Sequence, residues 1–128
     1  MSYTKGTRYS QEPSNGGQNA LYVREIQTPA YAASVKITVN DPLAEDITVL
    51  FKQCTGNMTI TADTTIPYDG DQMIMKIPMD STGHTVTLSN GFTVTSSTII
   101  GTANSIVTFN CIFDAQTQTW VEYARAIN

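Results

Sequence analysis

His84 is the only histidine in the 128-residue chain, so any Ser-His-Asp or Cys-His relay would have to pass through it. It stands beside the Ser81–Thr82–Gly83 turn, where the plain expectation is a solvent-exposed loop residue. Cys54 and Cys111 are the only cysteines, and their separation closes no metal-ligand spacing. Cys111 alternates in phase with Phe109 and Phe113, the pattern of a buried free thiol acting as a small hydrophobe. A disulfide between the two would be out of place in a cytosol. Asp69 and Asp71 flank Gly70 as at the start of a calcium loop, but the later ligands and the bidentate Glu are absent, so a solvated turn is predicted. Asp41, Glu45 and Asp46 offer carboxylates without an aromatic platform or a second acid placed as in a glycosidase pair. Asn57–Met58–Thr59 matches the glycosylation sequon, with no secretion signal to give it meaning. There is no glycine-rich phosphate loop leading into a helix, and so no nucleotide site. These residues assign no catalytic, metal-binding or cofactor-binding side chain, and the expectation is a protein that is not an enzyme. Tyr22, Tyr31, Tyr68, Phe92, Trp120 and Tyr123 could form a sugar-stacking face, although most fall at buried parity or beside turns, where core packing is the expectation.

The elements that would carry these residues follow from composition and period. Charged residues make up only 14% of the chain against about 25% in an average soluble domain, and Thr, Ser, Asn and Gln replace them. β-Branched Thr loses rotamer freedom on a helix and packs well on a pleated sheet, which points to an all-β protein. A single domain of this length buries roughly two-thirds of its unfolded surface, enough for a core without disulfides or metals. The net charge of −4, with Lys and Arg thinly scattered, excludes a phosphate-tracking stripe and makes nucleic acid an unlikely partner class. No apolar run approaches a membrane span, and Met1–Ser10 lacks the apolar core of a signal peptide, so synthesis and assembly in a cytoplasm are expected.

Residues 1–20 contain almost nothing aliphatic and form an expected extended N-terminal arm; residues 21–128 form the expected single domain. Within the arm, Tyr3, Arg8 and Tyr9 are large groups of the kind enriched at interfaces, and they are the candidate partner-binding residues. Leu21–Ile26 fits an edge strand. Val35, Ile37 and Val39 alternate against polar neighbours until Pro42, which cannot continue a ladder. Ile47–Gln53 is apolar on both parities and is expected to be covered on both faces. Met58, Ile60 and Ala62, then Met73, Met75 and Ile77, then Val86 and Leu88, each mark one face of a strand. Asn90–Gly91 is the strongest short hairpin signal, because a type I′ turn needs positive φ at both central positions. Ser105–Arg125 predicts a long terminal hairpin with Val107, Phe109, Cys111 and Phe113 on one face and Asp114–Gln118 as its turn. Strands punctuated every 8–12 residues predict an antiparallel β-sandwich or jelly-roll-like barrel of about eight strands. No coiled-coil heptads or sequence repeats are present to make a shaft.

Over Met58–Ile127 the chain resembles the β-rich structural proteins of tailed bacteriophages: head decoration proteins, head fibres and tail-fibre modules. The resemblance lies in the order of an apolar strand after Gly70–Asp71, the strand His84–Leu88, the turn Asn90–Gly91–Phe92, the segment Ile99–Ala103 and the hairpin closing on Trp120–Val121–Glu122. It implies a non-enzymatic, homotrimeric component of the virion that decorates or cements the outer capsid surface. Its partners would be the major capsid protein or other virion proteins and copies of itself. Tyr3, Arg8 and Tyr9 would then meet the capsid. The alternative within the same resemblance is a receptor- or glycan-binding module of a head or tail fibre.

Overall fold

The structure, a computed structural model, describes residues 23–128. Period-two alternation is expressed as β1 (Arg24–Gln27), β2 (Ser34–Ile37), β3 (Asp46–Leu50), β4 (Met58–Ala62), β5 (Gln72–Pro78), β6 (Thr85–Leu88), β7 (Phe92–Thr93), β8 (Thr98–Ile100), β9 (Ile106–Asp114) and β10 (Thr119–Ile127). The protein is all-β, with no helix among the described residues and two mixed sheets. Ten strands stand among the described residues where about eight were expected; β7 and β8 are too short to display a period of their own. The expected arm 1–20, with Tyr3, Arg8 and Tyr9, lies outside the described residues, as do Leu21 and Tyr22.

The expected antiparallel sandwich or jelly roll is corrected. From β1 to β9 consecutive strands alternate between sheet A (order β1-β3-β5-β9-β10-β7) and sheet B (order β2-β4-β6-β8), so the chain advances as a coil. The ladders along the coil, β1 with β3, β3 with β5, β2 with β4 and β4 with β6, are parallel. This is a β-solenoid arrangement, in which each coil buries its inner face against the next. Arg24 pairs with Asp46 and Asp46 with Gln72, so successive coils take 22 and 26 residues. The corners absorb that inequality, which hides the structural repeat from any search for a fixed sequence period.

Asn90–Gly91 shows why the hairpin expectation fails. It joins β6 in sheet B to β7 in sheet A, so the flanking strands are not partners. Gly91 has φ +99° whereas Asn90 is not in the positive-φ region, and Phe92 N donates to Ser89 O at 3.3 Å. Those are the marks of a type II turn, which needs glycine only at its second central position. The corner is seated on the preceding coil, since Ser89 N donates to Ile60 O and Ala62 N donates to Asn90 O.

The terminal hairpin forms as expected, but its role is new. β9 pairs antiparallel with β5, β10 pairs antiparallel with β9, and β10 runs parallel beside β7. The hairpin therefore fills a two-strand gap in sheet A between β5 and β7. Val107, Phe109, Cys111, Phe113 and Trp120 enter one core with Met73, Met75 and Ile77 from β5 and Met58, Ile60, Val86 and Leu88 from sheet B. Phe113 and Trp120 meet edge to face at 5.3 Å, a geometry worth about 0.5–1.5 kcal/mol beyond area burial.

At the other end, the inward positions of β1 are polar. Glu25 and Gln27 align with the core residues Ile47 and Val49 of β3. The Glu25 carboxylate accepts from the backbone N–H of Asn40 and Asp41 at 2.9 Å each, and Gln27 Nε2 donates to Glu25 Oε2 and Thr38 O at 2.6 Å each. These bonds tie β1 to the segment that follows β2 and make the interior polar at the first described coil. In β3, Val49 points inward while Leu50 is 38% exposed, so the described residues do not cover the strand on both faces.

Candidate functional site

His84 corrects the sequence expectation of an exposed loop residue. Its side chain is only 15% exposed, and its Nε2 lies 2.9 Å from Asp80 Oδ1 across the corner between β5 and β6. The Asp80 carboxyl is held below the ordinary carboxylate range, first by the Thr82 backbone N–H and then by the His84 bond. Cys54 stands on the neighbouring corner, where it bridges Met79, and its backbone carbonyl accepts from Asp80 N. Burial pushes its thiol up, the Asp80 charge pushes the same way, and the Sγ–H donates to Gly56 O at 3.0 Å. Such a thiol stays protonated, so this constellation is a stacked-corner device rather than an activated nucleophile. Cys111 is a free, fully buried thiol pushed upward by burial, in keeping with its strand parity.

The acids around Gly70 serve as backbone acceptors. The Asp71 carboxylate takes the Tyr68 N–H at 2.8 Å, Asp69 Oδ1 takes the Ala115 N–H at 3.0 Å, and Gly70 N donates to Phe113 O. Together they stitch the loop before β5 to the tip of the terminal hairpin. Asp41 Oδ1 accepts from Leu43 N, and Asp46 lies 3.8 Å from Arg24. Among the described residues no group of three His, Cys, Asp or Glu side chains could hold a metal ion.

Sequence reasoning missed the pair Arg125–Glu122. Arg125 Nε and NH2 donate to the two carboxylate oxygens at 2.5 and 2.8 Å, and NH2 and NH1 also reach the carbonyls of Ser96 and Thr98. The guanidinium lies 5.8 Å from the Phe109 ring centroid, and Glu122 accepts from the backbone and hydroxyl of Thr95. The Arg125 bonds hold the Glu122 carboxyl below its ordinary range. An i, i+3 spacing on a strand would put the two side chains on opposite faces; a β-bulge between Glu122 and Ala124 brings them together.

The two outer faces differ sharply. Ser34, Thr59, Thr87 and Thr98 align across sheet B as a hydroxyl ladder. Sheet A instead carries Ile26, Leu50, Ile106, Ile112 and Tyr123, five of the seven exposed large hydrophobic residues among those described; Ile127 pairs with the core residue Val107 and so has the inward parity of β10, and Ile100 lies on sheet B. The signal for this face was the presence of apolar residues at both parities of β3 and β9. An open groove of about 310 Å³ crosses its β9–β10 side, lined by Ile112, Val121 and Tyr123 with Asp69, Asp114 and Glu122 at its margin. Of the candidate stacking aromatics among the described residues, Trp120 is fully buried, Phe92 packs on Phe109, and Tyr123 is the large exposed ring, at 57%. Compared with known families and curated proteins, the chain matches no family model and no curated protein.

Proposed function

We propose that this chain is a structural virion protein of a tailed bacteriophage, a capsid decoration or auxiliary protein that binds and stabilises the outer capsid surface. The observation that carries the reading is the outer face of sheet A, where exposed apolar side chains sit on a hydrogen-bonded scaffold and few charges would have to be desolvated. A face of that kind works by area removed from water, and each copy bound adds its own increment of cohesion to the particle. The resemblance over Met58–Ile127 to structural proteins of tailed bacteriophages supports a virion as the particle. On this reading the chain performs no catalysis, reaches the virion from the host cytoplasm, and uses Tyr3, Arg8 and Tyr9 of its N-terminal segment to meet the major capsid protein. The test is rebinding of purified protein to particles that lack it, read as co-sedimentation and a raised disruption temperature. Bare particles that take up none of it would overturn the proposal.

One observation favours a second reading, a glycan- or receptor-binding module of a head or tail fibre. Parallel coils are the element from which a shaft can be extended, and Tyr123 stands exposed beside the groove with Asp69 and Asp114 at its edge. Binding to host surface glycans that disappears in Tyr123→Ala would support it.

A further inference from the structure

We infer that the outer face of sheet A is the surface through which copies of this chain join, with the occupant of each such face being the same face of a second copy. The inference rests on the reading of that face as an assembly surface and names its partner. Six strands about 4.8 Å apart span roughly 24 Å, and strands of two to nine residues at about 3.4 Å each give a footprint of roughly 500 Å² in projection. Two such faces, fully stacked, remove about 1,000 Å² from water in projection, the threshold of a biological interface, and side-chain relief adds to it. Two sheets with the same twist pack aligned, about 30° apart and about 10 Å between backbones, so an isologous stack needs no change in either copy.

The side chains suit that stack. Ile26 from β1, Leu50 from β3, Ile112 from β9 and Tyr123 from β10 are spread over the width of the face rather than gathered at one margin. The charges on this face are mostly engaged: Arg24 and Asp46 lie 3.8 Å from one another at the β1 side, Lys76 carries a long apolar stem, and of the groove acids Asp69 accepts from Ala115 N, Asp114 from Gln116 N and Glu122 from Arg125. Sheet B, in the same chain and the same solvent, presents hydroxyls instead. That contrast is what a surface permanently in water looks like on this scaffold.

The test uses the full chain, without particles, by sedimentation velocity at about 50 μM, above the micromolar upper end of dissociation constants for standard-size interfaces. The expected result is a mass of two or more 13.9 kDa subunits. Ile26→Lys with Ile112→Lys is expected to return it to a single subunit, while Ile100→Lys on sheet B leaves the association intact. Thr108→Arg, which removes no apolar group from the outer side of β9, provides a second disrupting variant if the double substitution fails to fold. A wild-type chain that sediments as one subunit, including one whose own residues 1–22 cover the face, overturns the inference. So does an oligomer that survives both disrupting variants. Particle rebinding is measured separately, so failure of self-association and failure of the virion reading are told apart.

Discussion

Replacing Gly91 by alanine separates a solenoid corner from a hairpin tip. Gly91 has φ +99°, a conformation that costs an L-residue about 1–2 kcal/mol. The loss is offset by about 0.4–1 kcal/mol because alanine also restricts the unfolded chain. A Cβ at this position would also lie against the Ala62 carbonyl oxygen of the preceding coil, far inside van der Waals distance, and backbone cannot yield as a flexible side chain can. Overpacking of that kind adds about 1–3 kcal/mol. Gly70 supplies the control: its φ is +89°, yet nothing lies within 4 Å of its would-be Cβ. Gly70→Ala is therefore expected to cost about 1 kcal/mol and Gly91→Ala about 2–4 kcal/mol. The assay is urea unfolding followed by the fluorescence of Trp120, the single tryptophan and a fully buried one. Equal losses at the two positions would refute the stacking of this corner on β4.

Glu122→Gln weakens its bonds to Arg125 beneath the 95–98 loop and is expected to cost about 1–3 kcal/mol in the same assay. Because the folded-state carboxyl of Glu122 lies below its unfolded value, the unfolded chain binds the proton more readily. Its contribution is thus complete above the unfolded carboxylate range and lost as pH falls through the folded value. The acid limb of the stability profile should flatten in Glu122→Gln, and an unchanged limb would count against the pair. Both thiols should resist a thiol-specific reagent until the chain unfolds, with two equivalents released in denaturant; fast labelling of native Cys54 would contradict its protonated, buried state. His84→Ala removes one bond to Asp80, which keeps the Thr82 N–H, and is expected to cost about 0.5–1.5 kcal/mol. A loss above about 3 kcal/mol would mean that the corner depends on the imidazole far more than a single hydrogen bond allows.

The strands were legible because their signal is local. Inward and outward side chains alternate every two residues, so Met73, Met75 and Ile77, or Val107, Phe109, Cys111 and Phe113, declare their common face without knowledge of any partner. The terminal hairpin was legible for the same reason, with its turn of polar residues from Asp114 to Gln118. The apolar outer face of sheet A was half legible: Leu50 between Val49 and Phe51, and Ile112 between Cys111 and Phe113, break the apolar–polar alternation. The sequence cannot say what covers the extra side chain, since that depends on neighbours outside the strand.

By itself, then, the sequence determined the all-β class, the inner face of most strands and the closing hairpin. Only the tertiary structure decided which strands pair, that the coil ladders run parallel, that Asn90–Gly91 turns a corner between sheets, and that the hairpin fills the gap between β5 and β7. The physical reason is that every strand edge offers the same N–H and C=O groups to a parallel or an antiparallel neighbour. The choice is made by non-local packing, as when the Ala62 carbonyl receives Gly91 because no side chain stands in the way. The same holds for the chemistry: His84 gained its Asp80 contact and Glu122 its Arg125 contact from a corner and a bulge, neither of which is written in residue spacing.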